Sequence, residues 1–119
     1  MIKAAKHCDS EALNEAIRSG ADLNGTDPQG WTPLFHAAHR GWTEGIKRLI
    51  EAGAEVNHGR ENGFTALFSA VMNGHLESVQ MLLEAGAEVR DVQGVKLTAH
   101  AQGKNRQQIV AAIERASSN

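Results

Sequence analysis

Six histidines and one cysteine are the residues of this 119-residue chain best able to do chemistry. His36 and His39 form an i, i+3 pair that a helix would place on one face. A zinc site needs further ligands, and no acidic or thiol side chain is spaced to complete one, so no metal is expected. Cys8 stands beside His7, but neighbours in sequence on a helix do not face each other, and no organising acid is evident. Gly20, Gly25 and Gly30 are evenly spaced, yet the Gly-Lys-Ser/Thr of a phosphate loop does not follow them. Asn24-Gly25-Thr26 fits the glycosylation pattern, which acts only on secreted chains. Lys3 and Lys6 interrupt the N-terminus before any apolar run, so no signal peptide is expected and Asn24 should stay bare. The reading is a protein with no catalytic residues, no metal and no cofactor.

Charge narrows the partners. Twelve Lys+Arg against fourteen Asp+Glu give a net charge of −2, and a general nucleic-acid binder needs a basic excess to displace counterions from phosphates. No apolar run approaches the roughly 18 residues that cross a bilayer, so no membrane role is expected. A lone cysteine, Cys8, forms no internal disulfide and points to a reducing, cytoplasmic setting. The charge is uneven: residues 1–92 hold 8 basic and 13 acidic side chains, whereas 93–119 hold 4 and 1. The cations near the C-terminus, Lys104, Arg106 and Arg115, read as a solvated face or as a surface for an acidic partner.

The elements that must position these residues repeat. Gly20, Gly53 and Gly86 recur at one constant step and open near-identical phrases: Gly20-Ala21-Asp22-Leu23-Asn24, Gly53-Ala54-Glu55-Val56-Asn57 and Gly86-Ala87-Glu88-Val89-Arg90. Gly30 and Gly63 keep the same step, as do Gly41 and Gly74. A fixed period of this size, about 33 residues, is the mark of a repeat protein. Leu13, Ala16 and Ile17 recur as Ile46, Leu49 and Ile50, then as Val79, Leu82 and Leu83, with Val110 and Ile113 expected to close the series. Each set is an i, i+3, i+4 helical stripe. A shorter helix precedes each, with small pairs Ala4-Ala5, Ala37-Ala38, Ala70-Val71 and Ala101-Gln102 that allow close antiparallel packing. Thr32 and Thr65 are placed to cap the first helices, and Pro33 suits a first helical position. Gly41 and Gly74 are expected to end them in the left-handed conformation, with Asn105 in that place in the last unit.

On Gly30-Trp31-Thr32-Pro33-Leu34 with Ala37-Ala38 and Gly41, and on Gly63-Phe64-Thr65-Ala66-Leu67 with Ala70, Gly74 and His75, the chain resembles the ankyrin repeat family. The resemblance implies an all-α solenoid of stacked antiparallel helix pairs with projecting turns. It divides the chain into a partial N-terminal repeat at 1–26, repeats at 27–59 and 60–90, and a C-terminal capping repeat at 91–119. The last unit has Lys96 where the capping threonine would stand and Glu114 where other units have Ile17, Ile50 and Leu83, so no fifth repeat is expected. Phe35, Phe68 and Ala99 occupy a position where the family usually has histidine, and apolar packing should replace polar bonding there. Gly45 interrupts the second helix of its unit at about 1 kcal/mol relative to alanine. Trp42, three residues earlier, is placed to cover it, so changes at the two should not add. The link from Arg90 to Gly94 is 4 steps against 6 in its predecessors, so the third turn should be short.

The family binds other proteins and shares no catalytic activity, and the resemblance implies a partner on the turn tips and the concave face of the first helices. There the chain places Trp31, Phe64, Asp27, Gln29, Arg60, Glu61 and Asn62, together with His39 and Arg40 in the second unit and Met72 and Asn73 in the third. Aromatic and arginine residues on a polar surface are the usual composition of an interaction hot spot. The plain alternative is that Trp31 and Phe64 merely pack against the next turn. Asn57 resembles the asparagines that ankyrin proteins present to the oxygen-sensing asparaginyl hydroxylase of animals; as a structural residue it would bond turn backbone instead. The protein is expected to be a monomer that binds another protein, with self-stacking through Met1, Ile2 and Cys8 as the alternative.

Overall fold

A computed structural model describes residues 1–58 and 64–117. Seven helices form in chain order among them: α1 (Ile2–Lys6), α2 (Ser10–Arg18), α3 (Pro33–Arg40), α4 (Thr43–Glu51), α5 (Ala66–Met72), α6 (Leu76–Glu84) and α7 (Arg106–Ser117), with a 3-10 turn (Leu97–His100) before α7. They make two layers. α1, α3, α5 and the 3-10 turn pack in succession as an inner layer, and α2, α4, α6 and α7 as an outer one. The result is an elongated body of 39 × 25 × 25 Å.

The inner helices begin where a side chain supplies the missing acceptor. Thr32 Oγ1 accepts from the Phe35 amide at 3.1 Å and Thr65 Oγ1 from the Phe68 amide at 3.4 Å, with Pro33 in the first helical position. Lys96 offers no such acceptor, and the inner element of the last unit is only a four-residue 3-10 turn. The inner helices end at one repeated place. Gly41 and Gly74 take φ of 67° and 72° there, and Cys8, one period before Gly41, is forced to 54°. In the last unit the left-handed residue is Gly103, at 87°, and not Asn105. The two chain reversals meet closely: a Cβ on Gly74 would lie 2.9 Å from the Gln102 carbonyl, whereas one on Gly103 would come no nearer than 4.0 Å to Gly74, so at 103 the positive φ is what favours glycine.

The apolar stripe packs against the core, with Ala16, Ile17, Ile50 and Leu83 only partly covered at its edge. Leu13, Ile46, Leu49, Val79 and Leu82 of the outer layer are fully covered, as are Leu34, Ala37, Ala38, Ala70 and Val71 of the inner. Each large aliphatic side chain so buried contributes about 1.5–3 kcal/mol. The last unit departs from the expected register. Ile109 and Ile113 fill the core, and Val110 is only partly covered. Two changes upstream account for it, the 3-10 turn and the shortened hairpin, where Val92 and Val95 exchange hydrogen bonds of 2.8 and 3.0 Å across Gln93 and Gly94. Both of these central residues have positive φ, as a two-residue hairpin turn needs.

Polar side chains tie one unit to the next. Asn24 Oδ1 accepts from the Glu55 amide at 3.0 Å. One period on, Asn57 Oδ1 accepts from the Glu88 amide at 2.7 Å while its Nδ2 donates to the Gly86 carbonyl at 3.1 Å. Asn57 thus bonds the backbone of the following unit. Gly45 is buried under Trp42 as expected, but more tightly than a covering contact: an alanine Cβ there would fall 2.2 Å from Trp42 Cε3.

Candidate functional site

A groove of about 550 Å³ opens along the inner layer between the first two units. The end of α1 and the exposed side of α3 form its floor with Lys6, His7, His36, His39 and Arg40, and the turn before α3 forms its wall with Gln29 and Trp31, joined by Phe35 from the first turn of α3. The period explains the floor. Lys6 and His7 stand one period before His39 and Arg40, which in turn stand one period before Met72 and Asn73, so one row of positions runs across three inner helices.

The wall is aromatic. Trp31 stacks on Phe35 with ring centres 4.1 Å apart and planes 9° from parallel, and meets Phe64 of the next unit at 5.8 Å. Phe64 continues to Phe68 at 4.9 Å, and Phe68 to the edge of His100 at 5.3 Å. Phe35 and Phe68 therefore replace the polar bonding usual at their position with ring packing, as the sequence predicts. Trp31 and Phe64 remain partly exposed within this ladder. Each aromatic pair adds about 0.5–1.5 kcal/mol beyond its buried area.

Asp27 is turned inward. Its Oδ1 accepts from the Gln29 and Trp31 amides, both at 3.0 Å, and its Oδ2 lies 2.7 Å from His36 Nε2. Burial raises its carboxyl pKa, but the hydrogen bonds from Trp31, His36 and Gln29 and the charge of His36 outweigh it and hold the group below its ordinary value. Sequence spacing leaves His36 without an acidic neighbour; the turn curls Asp27 back across nine residues to supply one.

His39 is linked to the third unit twice. Its Nδ1 takes a hydrogen bond from Asn73 Nδ2 at 3.1 Å, and its carbonyl lies 3.0 Å from His75 Nε2. Partial burial lowers its pKa first, and the nearby His36, His75 and Arg40 lower it further. The neutral ring is thereby favoured, which suits Nδ1 as an acceptor.

The groove gathers Gln29, Trp31, His39 and Arg40 of the expected partner-binding residues. Asn73 joins them through His39, and Met72 lies 43% exposed at the end of α5. Arg60, Glu61 and Asn62 lie outside the described residues, as does Gly63. The sequence reading missed Lys6, His7, Phe35 and His36 as groove residues, although a step of one period back from His39 and Arg40 identifies the first two. Among the described residues no group of three or more His, Cys, Asp or Glu side chains could hold a metal ion, and no helix is long and apolar enough to cross a membrane.

Helix pairs stacked in two layers, with an open groove along the inner one, define an α-solenoid repeat protein. The family model for ankyrin repeats, in 3 copies, matches residues 1–93, and the chain belongs to the ankyrin repeat family. The match ends before Leu97–His100, where the capped inner helix is replaced by the 3-10 turn. A search of the curated proteins gives no match. Ankyrin repeats are generally protein–protein interaction modules, not catalysts.

Proposed function

We propose that this chain is a non-catalytic interaction module that binds a protein partner in the groove on its concave face, with Trp31, Gln29, His39 and Arg40 at the centre and Met72 and Asn73 extending the contact. The observation that carries this reading is the groove itself, where an aromatic wall and a polar floor converge over about 550 Å³. Aromatic side chains with an arginine beside them concentrate binding energy when a partner excludes water. Phe64 beside Trp31 extends the proposed surface, Asp27 serves it by holding the turn that carries Gln29 and Trp31, and Arg60 and Glu61, also expected to take part, lie outside the described residues. The single Cys8 supports a cytoplasmic setting.

The test is capture of a partner from native lysate on immobilised protein, comparing the wild type with Trp31→Ala and Arg40→Ala. Variants that melt like the wild type yet lose the partner support the reading; a partner retained by both overturns it. Sedimentation at micromolar concentration checks the proposed monomer, and a species heavier than the 12.8 kDa chain would favour stacking of copies instead.

A further inference from the structure

The carboxylates of the helices are sorted by layer, while cations occur in both. The outer helices α2, α4 and α6 each carry two glutamates. The inner elements α1, α3, α5 and the 3-10 turn carry no aspartate or glutamate, while Lys6, His7, His39 and Arg40 line the groove. The carboxylate of the turn before α3, Asp27, has a side chain only 8% exposed and spends both oxygens on its own turn and on His36. Among the described residues, neither Lys6 nor Arg40 has a carboxylate within ion-pair distance. A chain of net charge −2 thus presents a cationic groove with an aromatic wall.

The geometry points to an acidic peptide as the occupant of this groove, with an apolar or aromatic residue against Trp31 and Phe35 and carboxylates meeting Lys6 and Arg40. This rests on the interaction-module reading and names its partner class. Lys6 and Arg40 belong to neighbouring inner elements, which pack about 10 Å apart, and about three residues of extended chain span that distance. Charge complementarity of this kind selects partners and speeds their encounter. A nucleic acid fits less well, because avid phosphate binding draws on many cations and the groove holds two fixed ones.

The experiment is selection of random dodecapeptides displayed on phage against the immobilised full chain, followed by fluorescence polarisation with the winning peptides. The expected result is enrichment of Asp and Glu among the winners. Binding should weaken at least about tenfold when the peptide acids become amides, or when Lys6→Glu and Arg40→Glu are combined in a chain whose circular dichroism is unchanged. Neutral or basic winners that are lost on His39→Ala overturn the acidic class and leave the concave-face reading standing. Winners indifferent to every groove substitution overturn both. A selection that yields no binder overturns the acidic peptide, as does oligothymidylate that displaces the winners with equal affinity.

Discussion

Replacing Gly45 by alanine would set a Cβ 2.2 Å from Trp42 Cε3 and 2.6 Å from Cδ2 and Cζ3, where carbon atoms ordinarily meet at about 3.5–4.0 Å. In an open helix the substitution gains about 1 kcal/mol, because glycine loses more backbone freedom on folding. Here the gain is opposed by displacement of a half-buried indole, and an extra methyl in a filled site costs about 1–3 kcal/mol. Gly45→Ala should therefore leave the wild-type chain between unchanged and about 2 kcal/mol less stable. Once Trp42→Ala has vacated the space, the same alanine should stabilise by about 1 kcal/mol. The difference is a coupling of about 1–3 kcal/mol, well above the additivity expected of independent sites. Urea titration of the wild type, both single variants and the double variant, read by far-UV circular dichroism, measures it from the four midpoints if the slopes agree. Equal stabilisation by Gly45→Ala in both backgrounds would refute the reasoning, since the indole would then not be held over residue 45.

Three further outcomes follow from the same geometry. Cys8 sits at φ 54° where Gly41 and Gly74 stand in later units, and relieving a left-handed side chain is worth about 1 kcal/mol, so Cys8→Gly should raise the urea midpoint; a lower midpoint would mean that thiol packing outweighs the strain. Asn57→Ala removes the acceptor of the Glu88 amide and the donor to Gly86, at about 1–2 kcal/mol, and hydrogen exchange at Glu88 should quicken while that at Leu13 tracks only the global loss. His39 has its folded pKa lowered from 6.5, so the unfolded chain takes up the proton first as pH falls. Its contribution to stability is full above the unfolded value and is lost as pH drops through the folded one. His39→Gln keeps an acceptor for Asn73 without a proton to gain, and its stability should therefore fall less than the wild type's between about pH 7.5 and about pH 5; parallel curves would exclude His39 as the titrating group.

The skeleton was legible because stacking imposes the same demands on each unit. Thr32 and Thr65 cap, Gly41 and Gly74 reverse the chain, and Ile46 and Val79 fill equivalent core positions; a residue type required at one step is required again one period on. The reading failed where the period breaks. Counting places Val110 in the core, but the shortened hairpin and the uncapped 3-10 turn shift the register, and Ile109 enters instead. Gly103, not Asn105, takes the left-handed turn, because glycine adopts a positive φ without a Cβ penalty and stands two residues nearer the 3-10 turn. At the groove, the contact of Asp27 with His36 was illegible for a different reason. It depends on a turn folding back on itself, which residue spacing alone does not encode.

The cations of the groove have a structural role as well, and the two roles separate. Lys6 and Arg40 lie in the last turns of α1 and α3, where a positive charge meets the negative end of the helix dipole. At exposed positions that interaction is worth about 0.3–1 kcal/mol and fades with salt. It does not explain the layering. α5 ends in Met72 and Asn73 with no cation in its last turn, so stacking proceeds without one. Nor does helix stability forbid carboxylates early in an inner helix, since Glu11, Glu44 and Glu77 occupy the favourable first turns of the outer ones. Glu11, Glu44 and Glu77 are accounted for by the helices they begin, whereas Glu51 and Glu84 end theirs. Burial accounts for the absence of acid from α5, where all residues from Ala66 to Val71 are covered, but the exposed ends of α1 and α3 could carry either sign of charge, and Lys6 and Arg40 there are the charges that an acidic ligand would require.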